Sequence, residues 1–216
     1  MASGRGKRAV VVVAHGAGAI DPADLERRSF LIAADGGAES AIAQGAVPDL
    51  VVGDLDSLGA RRIDELRARG VRFEEHPRAK DETDLELALA CALRQAPDRI
   101  LVAADPGGRL DHLFGVLTAL AGVASPQLDV DAVLGPARVH VVAAERSLVG
   151  RPGELLSLFA VGADAHGVRT SGLLYPLRGE TLSATAGRGV SNEFADEQAE
   201  IAVERGTLLA IRPGAR

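Results

Sequence analysis

The sequence has no tryptophan and only one tyrosine, one cysteine and one methionine among its 216 residues. A single cysteine cannot form an intramolecular disulfide. Because Cys91 lies in an apolar helical pattern, we expect it to be a small, buried hydrophobic residue. No apolar run approaches the roughly 18 residues that a membrane-spanning helix needs. The sequence therefore favours neither a disulfide-stapled nor a membrane-spanning protein.

An excess of positive charge is also missing, since 24 Lys and Arg stand against 30 Asp and Glu, a formal net charge of −6. The chain consequently has no overall basic field to attract nucleic acid or anionic lipid. Three basic residues within positions 5–8 precede an apolar run, as in a signal peptide. That run ends at His15 after six residues, so we interpret it as a core strand. We expect a soluble, cytoplasmic protein.

Apolar runs alternate with helical patterns through the first two-thirds of the chain. The predicted strands are 9–15, 30–34, 50–53, 72–76, 99–104 and 128–134, and the predicted helices are 22–28, 38–44, 59–69, 83–95 and 111–122. Thr83 and Glu86 fit a capping box at the start of one helix. The alternation predicts an α/β domain with an open, mainly parallel, Rossmann-like sheet that is covered on both faces.

The pattern changes after about residue 137. Short apolar runs, separated by Gly and Pro, cover 138–144, 154–161, 173–177, 181–185, 199–204 and 207–211. Such runs are typical of a small antiparallel sandwich or roll. We therefore predict two domains, an α/β domain over residues 1–137 and an all-β sandwich over residues 138–216.

Two aspartates, Asp54 and Asp56, follow directly after the predicted strand 50–53. In an extended backbone, residues i and i+2 point to the same side. Two like charges about 4 Å apart repel by roughly 1 kcal/mol in water and about 4 kcal/mol near a protein surface. A hard cation with oxygen ligands is the commonest reason for such a pair. The alternative is a solvated loop after a strand.

Polar residues recur where the predicted strands end, which is where open α/β sheets bind their ligands. They are Asp35, Asp54, Asp56, Lys80, Asp81, Asp84, Asp105, Arg109, Asp111 and His112. A single aspartate there is usually a turn residue or a helix cap, and Asp81 and Asp84 are also suited to stabilising a helix N-terminus. Acids on four loops of one edge nevertheless indicate a site.

Acids repel phosphate, so Asp54, Asp56 and Asp84 can hold a nucleotide only through a metal. Mg²⁺ takes one or two carboxylates together with substrate phosphates and water, which fits this supply of acids. The balancing positive charge is available from Lys80, Arg109 and His112, although Lys80 and Arg109 are equally well explained as surface charges.

The usual phosphate-binding signatures are missing. The sequence has no GxxxxGK[ST] loop, and the G-x-G at residues 16–18 lacks the third glycine of a dinucleotide fingerprint. The glycine pairs Gly36-Gly37 and Gly107-Gly108 would allow backbone to approach a nucleotide, or would simply make turns.

Two segments of the predicted β domain are candidates for binding. Residues 189–193 are predicted to form a turn that contains Ser191 and Asn192, and taken alone such a turn is more often an ordinary hairpin. Residues 170–177 include the only tyrosine, Tyr175, and would serve either as an apolar wall or as a core strand.

Six motifs occur in an order that resembles the thiamine pyrophosphokinase family, and the resemblance spans about residues 10–211. They are Ala34-Asp35-Gly36-Gly37-Ala38, residues 48–57 with Gly53-Asp54-Leu55-Asp56-Ser57, Lys80-Asp81-Glu82-Thr83-Asp84-Leu85, Gly108-Arg109-Leu110-Asp111-His112, Gly172-Leu173-Leu174-Tyr175-Pro176-Leu177 and Gly189-Val190-Ser191-Asn192-Glu193. The resemblance implies a homodimer whose active sites lie between the α/β domain of one subunit and the β domain of the other. The implied reaction is the transfer of diphosphate from ATP to the hydroxyethyl group of thiamine, giving thiamine diphosphate and AMP.

The resemblance also implies roles for individual residues. The acids linked to Mg²⁺ would be Asp54, Asp56 and Asp84. Asp81 is our own candidate, apart from the resemblance, for orienting or deprotonating the hydroxyl. The nucleotide side would be formed by Asp35, Gly36, Gly37, Lys80, Thr83, Arg109, Asp111 and His112, and the thiamine side by Tyr175, Ser191 and Asn192. Eukaryotic members stack a tryptophan on thiamine, so here Tyr175 or Leu174 would form that wall.

Two other functions use the same residues. A metal-dependent nucleotide phosphohydrolase would activate water with the same acids, but a separate β domain with a Ser-Asn turn suits an organic acceptor better. A non-catalytic sensor of nucleotide or vitamin would bind without forming AMP.

Overall fold

The structure, a computed structural model, describes residues 8–105 and 107–214. The chain divides into two compact units. The first contains the chain up to His112 together with Ala132–Gly135, and the second contains Leu113–Asp131 and the chain from Pro136 onward. The boundary between residues 137 and 138, taken from the sequence, stays a prediction.

The first unit is built on five parallel strands in the order β5-β1-β2-β3-β4. Its elements are β1 (Ala9–Val13), α1 (Pro22–Arg27), β2 (Phe30–Ala34), α2 (Gly37–Ala43), β3 (Leu50–Gly53), α3 (Ala60–Ala68), β4 (Arg72–Glu75), α4 (Asp84–Arg94) and β5 (Arg99–Ala104). Two further elements, α5 (Leu110–Gly122) and β6 (Asp129–Leu134), contribute residues to both units.

The central strand β1 shows why this sheet is covered on both faces. Successive residues of a strand point to opposite faces, and all four valines at positions 10–13 are buried. On one face, Val11 and Val13 belong to an apolar cluster that includes Ala41 of α2. Helix α4 packs against β1, β2 and β3. The predicted α/β architecture with a mainly parallel sheet is therefore confirmed.

The order in which successive strands are added to the sheet reverses beside β1. Strands β2, β3 and β4 follow one another on one side of β1, whereas β5 lies on the other side. Ligands of open α/β sheets bind beyond the carboxyl ends of the strands near such a point. A ligand site is therefore expected among the residues that follow β1, β2, β3 and β5.

The second unit contains two antiparallel sheets, with strand orders β12-β9-β14-β7 and β11-β10-β13-β8. The strands are β7 (Ala137–Val142), β8 (Glu145–Val149), β9 (Leu155–Ala160), β10 (Ala165–Ser171), β11 (Arg178–Leu182), β12 (Asn192–Glu193), β13 (Gln198–Ala202) and β14 (Leu208–Arg212). Residues of both sheets share one core, among them Leu156 and Leu208 from the first sheet and Val168 and Ile201 from the second. The prediction of an all-β sandwich is confirmed.

One predicted strand is wrong. Residues 173–177 are apolar, but only Leu173 makes a bridge, to Phe194, and Leu174 and Tyr175 are exposed. By contrast, β8 and β10 were not predicted, because most of their residues are polar or small and β10 is interrupted by register shifts.

Two further expectations concern single features. Cys91 is buried as predicted, and burial raises the pKa of its thiol. None of the helices in the described residues has the length and apolar character needed to cross a membrane.

Candidate functional site

Three aspartates meet at the carboxyl edge of the parallel sheet. One carboxylate oxygen each from Asp35, Asp54 and Asp84 lies within 4.8 Å of the other two. Asp35 follows β2, Asp54 follows β3, and Asp84 is the first residue of α4. We call this group the carboxylate cluster.

The backbone at Asp35 directs its side chain into the carboxylate cluster. Asp35 has a φ of +42°, a left-handed conformation that aspartate tolerates better than most non-glycine residues. Its N–H donates to the carbonyl of Val52 at 2.8 Å, and its own carbonyl accepts from the N–H of Ala38 at 3.1 Å. Asp35 is thereby fixed between the parallel sheet and the start of α2.

Gly53 makes the close approach of the carboxylates possible. It has a φ of +144°, and a Cβ at this position would lie 3.0 Å from both the Asp35 Cβ and the Asp84 Oδ1. A side chain here would push those two residues away. Glycine is therefore needed at the end of β3 for steric as well as conformational reasons.

Asp84 is placed by the cap of α4. The Thr83 hydroxyl accepts from the N–H of Glu86 at 3.2 Å, and the Glu86 carboxylate accepts from the N–H of Thr83 at 2.8 Å. This is the predicted capping box, and it is confirmed. It gives Thr83 a structural role, while its role toward a nucleotide stays a prediction.

The carboxylate cluster carries unbalanced negative charge. Asp35 Oδ1 is buried and accepts no hydrogen bond from any residue that the structure describes. Asp84 Oδ1 lies 3.0 Å from the Nζ of Lys80, a largely buried lysine, although the angle of this ion pair is not that of a hydrogen bond. A buried carboxylate oxygen without a donor is costly. Three carboxylates, of which that of Asp35 has an oxygen with no hydrogen bond from the described residues, form a donor set that fits a hard divalent cation such as Mg²⁺.

Asp56 lies apart from the carboxylate cluster. Leu55 has a φ of +60°, so the backbone between Asp54 and Asp56 is not extended, and the argument that both aspartates point to one side is wrong. The Asp56 carboxylate is instead exposed and lies 3.3 Å from the guanidinium of Arg78. In the structure it is Asp35, and not Asp56, that lies with Asp54 and Asp84. A role for Asp56 in metal binding stays a prediction.

Other residues predicted for the nucleotide side have mixed surroundings. Asp81 is exposed in the bend before α4. A Cβ at Gly37 would lie 2.0 Å from the carbonyl oxygen of Val13, and one at Gly36 would lie 2.9 Å from His15 Nδ1. Close packing of α2 on β1 therefore accounts for Gly37 without a ligand.

The start of α5 carries Arg109, Asp111 and His112, all of them exposed. The Arg109 guanidinium lies 2.6 Å from the Asp111 carboxylate. Its hydrogen bond holds the pKa of the Asp111 carboxyl below the usual value. Asp111 does not belong to the carboxylate cluster, and nucleotide binding by these three residues stays a prediction.

The three residues predicted for the thiamine side lie close in the second unit. Asn192 is buried and makes hydrogen bonds to the backbone of Tyr175, whose side chain is exposed. Ser191 is exposed, has a φ of +59°, and donates its N–H to the hydroxyl of Ser157 at 3.1 Å. A left-handed serine is uncommon, and such strain is often found at binding sites.

Comparison with protein families accounts for both units. A model described as the catalytic domain of thiamin pyrophosphokinase matches residues 23–131, and one described as its vitamin B1 binding domain matches residues 139–208. The chain belongs to the thiamin pyrophosphokinase family. The carboxylate cluster lies in the first match, and Tyr175, Ser191 and Asn192 lie in the second.

Individual members of the family are distant in sequence and close in fold. The thiamine pyrophosphokinase of Bacillus subtilis (strain 168) is 24% identical over 198 residues, which cover 87% of this chain and 88% of that relative. A crystal structure of the thiamine pyrophosphokinase from Bacillus subtilis superposes with a TM-score of 0.82 at 22% identity, covering 97% of this chain and 100% of that one. The thiamin pyrophosphokinase of Candida albicans gives a TM-score of 0.77 at 15% identity, covering 95% and 88%. The structural matches show a shared fold.

Sequence reasoning missed two residues of the site. Asp35 was assigned to the nucleotide side, yet it is a member of the carboxylate cluster, and Gly53 was not singled out. A glycine directly before Asp54 was the available signal, since a glycine at a strand end often marks a close approach.

Proposed function

We propose that the protein transfers the β,γ-diphosphate of ATP to the hydroxyl of the hydroxyethyl group of thiamine, giving thiamine diphosphate and AMP. The observation that carries this proposal is the presence of both family domains in one chain, with the carboxylate cluster inside the catalytic one. A vitamin-binding domain in the same chain as a cluster of acids favours an organic acceptor over water.

Asp35, Asp54 and Asp84 would hold Mg²⁺, and Asp56, which follows on the same loop as Asp54, would be a further acid for the metal. The unsatisfied Oδ1 of Asp35 supports this assignment. When bound, Mg²⁺ neutralises charge on the phosphates that these carboxylates would otherwise repel.

The residues of the chain would act mainly by positioning. The bond that forms joins the thiamine hydroxyl oxygen to the β-phosphorus, and the bond that breaks joins that phosphorus to the oxygen that leaves with AMP. The proton of the hydroxyl must be accepted as the bond forms, and Asp81 is the candidate, being exposed three residues before Asp84. The ammonium of Lys80, held at Asp84, is available to a phosphate oxygen.

The nucleotide side would also include Gly36, Gly37, Thr83, Arg109, Asp111 and His112. The thiamine side would be formed by Tyr175, Ser191 and Asn192. A cytoplasmic location fits this substrate pair.

A homodimer is part of the proposal. Helix α5 supports it, because most of its residues are apolar but only Ala119 and Leu120 are buried in the single chain. Phe114 retains 68% and Leu110 retains 77% of their accessible surface. Large exposed apolar side chains of this kind are typical of interaction surfaces.

The test is AMP formation from ATP and Mg²⁺, with thiamine added or withheld. We expect AMP to appear only when thiamine is present and to stop when the metal is removed with a chelator. AMP formation without thiamine would identify a phosphohydrolase, and binding of both substrates without AMP would identify a sensor. Either result would refute the proposed transfer.

A further inference from the structure

The segment around Tyr175 has a fixed backbone. The N–H of Leu174 donates to the carbonyl of Glu193 at 2.9 Å, and Leu173 forms a bridge with Phe194. The side chain of Asn192 then joins this segment to β12: its Oδ1 accepts from the N–H of Tyr175 at 3.0 Å, and its Nδ2 donates to the carbonyl of Tyr175 at 2.8 Å. Both backbone groups of Tyr175 are thus held by one amide.

The side chain of Tyr175 is exposed in spite of this fixed backbone. It retains 64% of its accessible surface, and the neighbouring Leu174 retains 51%. An exposed aromatic residue on an ordered backbone is suited to binding, because little conformational freedom remains to be lost when a ligand arrives. Its ring is also suited to a positively charged partner, which is attracted to an aromatic face.

Asn192 itself is poorly placed to contact a ligand. Only 5% of its surface is exposed. Its Oδ1 accepts a second hydrogen bond, from the N–H of Glu193 at 2.9 Å. An asparagine amide offers two donors and two acceptor positions, and three of these four are used within the second unit.

We propose that Asn192 is a positioning residue that holds the backbone of Tyr175, so that the phenol ring forms a preorganised wall for the cationic aromatic ring of the acceptor. In this arrangement Tyr175 contacts the acceptor and Asn192 acts through Tyr175. The inference rests on the proposed function, which makes thiamine, with its positively charged thiazolium ring, the acceptor. It replaces direct contact of Asn192 with thiamine by an indirect role.

The composition of the chain provides a direct readout. Tyr175 is the only tyrosine and the chain has no tryptophan, so the intrinsic fluorescence of the full-length protein under tyrosine excitation reports on this single ring. The variant Asn192→Ala removes the hold on Tyr175. The matched control is Thr170→Val, since the buried Thr170 hydroxyl accepts from the N–H of Leu177 at 2.8 Å at the other end of the same segment.

We expect Asn192→Ala to lower the fluorescence anisotropy of the ligand-free protein and Thr170→Val to leave it unchanged. We also expect thiamine to quench the emission of the wild type. In turnover assays, Asn192→Ala should raise KM for thiamine by about tenfold, equivalent to about 1.4 kcal/mol, while KM for ATP and kcat change far less. Thr170→Val should leave KM for thiamine close to the wild-type value.

Several results would overturn the proposal. A raised KM for thiamine with unchanged anisotropy in Asn192→Ala would show direct contact, and equal effects of both variants would show general loosening of the segment. Wild-type tyrosine emission that does not change when thiamine is added would show that Tyr175 does not form the wall. If Asn192→Ala does not fold, Asn192→Asp takes its place: it keeps both accepted hydrogen bonds but sets a carboxylate oxygen against the Tyr175 carbonyl, so the same losses are expected.

The anisotropy measurement needs no turnover and no ligand. A wild-type protein that forms no thiamine diphosphate would therefore refute the proposed function, while the anisotropy of Asn192→Ala would still decide whether Asn192 holds Tyr175.

Discussion

Asp54 lies in a group of like charges, and their repulsion lowers the stability of the protein when no cation is bound. Its carboxylate shares the carboxylate cluster with Asp35 and Asp84, and among the residues that the structure describes only Asp84 has an ammonium partner nearby. Like charges about 4 Å apart cost about 1 kcal/mol in water and about 4 kcal/mol near a protein surface. We predict that Asp54→Asn stabilises the metal-free protein by about 1 kcal/mol, measured by urea denaturation in the presence of a chelator.

The same substitution should weaken metal binding. Loss of groups that merely orient metal ligands already costs about 10–100-fold in affinity, so we expect a loss of at least about 100-fold in Mn²⁺ affinity, followed by titration calorimetry. The control is Asp64→Asn, which changes an exposed aspartate of α3. Equal stability of wild type and Asp54→Asn, with equal Mn²⁺ affinity, would mean that the carboxylate cluster is only a solvated group of acids.

Gly53 is the second residue on which the carboxylate cluster depends. We predict that Gly53→Ala destabilises the protein by about 1–3 kcal/mol, the cost of holding a non-glycine residue in a backbone conformation that L residues rarely adopt. It should also reduce Mn²⁺ affinity, because the new Cβ would displace Asp35 and Asp84. Unfolding by urea and calorimetry measure the two effects.

Gly45→Ala is the matched control for this prediction. Gly45 also has a positive φ, +73°, but a Cβ there would meet no atom within 4 Å. We expect it to lower stability while leaving Mn²⁺ affinity intact. Loss of metal affinity in both variants would show that backbone strain alone, and not the approach of the carboxylates, explains Gly53.

The residues of the site could be predicted in kind but not in arrangement. The acids at the strand ends are visible in the sequence because they follow apolar runs. Whether Asp35 or Asp56 joins the carboxylate cluster depends on the left-handed backbone of Asp35 and Leu55. The residue types aspartate and leucine do not predict that conformation. Asn192 and Tyr175 were both predicted for the thiamine side, which stays a prediction, but the hydrogen bonds between these residues, 17 positions apart, are supplied only by the fold.

Helix α4 brings Asp84 into the carboxylate cluster, and its cap decides where the helix begins. We predict that Thr83→Ala lowers the free energy of unfolding by about 1 kcal/mol, the usual cost of losing a threonine cap. Thr83→Ser keeps the hydroxyl and should be close to the wild type in thermal or urea unfolding. Equal stability of the alanine and serine variants would show that the capping box does not hold the start of α4.

Three strands with continuous apolar cores were predictable to the residue, whereas β1, predicted over 9–15, ends at Val13. The strands 30–34, 50–53 and 99–104 match β2, β3 and β5, since buried strands of a parallel sheet are apolar on both faces. The strands of a parallel sheet that is buried on both faces can therefore be recognised in the sequence. Among the sandwich strands, β7, β9, β13 and β14 were predicted within two residues, whereas β8 and β10 were missed, and β10 contains register shifts.

At the scale of the whole molecule, the change from α/β to all-β structure was predictable from the loss of helical pattern after residue 137. The division into compact units was not, because Ala132–Gly135 joins the first unit although the residues on both sides of it belong to the second. A segment of four residues such as Ala132–Gly135 is too short for its return to the first unit to be recognised from amino-acid composition.

The proposed homodimer gives a prediction at this scale. Phe114→Asp introduces a charge on the exposed apolar residues of α5, and we expect it to convert dimers into monomers in sedimentation equilibrium. The control is Val149→Asp, which changes an exposed apolar residue of β8. Dimers that persist in Phe114→Asp, or a wild type that is monomeric at micromolar concentration, would contradict the assignment of α5 to the interface.

The proposed transfer is tested most directly by a ³¹P NMR spectrum of the products formed from ATP, thiamine and Mg²⁺. We predict equal amounts of AMP and thiamine diphosphate, with no ADP and no free diphosphate. ADP formed together with thiamine monophosphate, or AMP formed together with free diphosphate, would contradict the account.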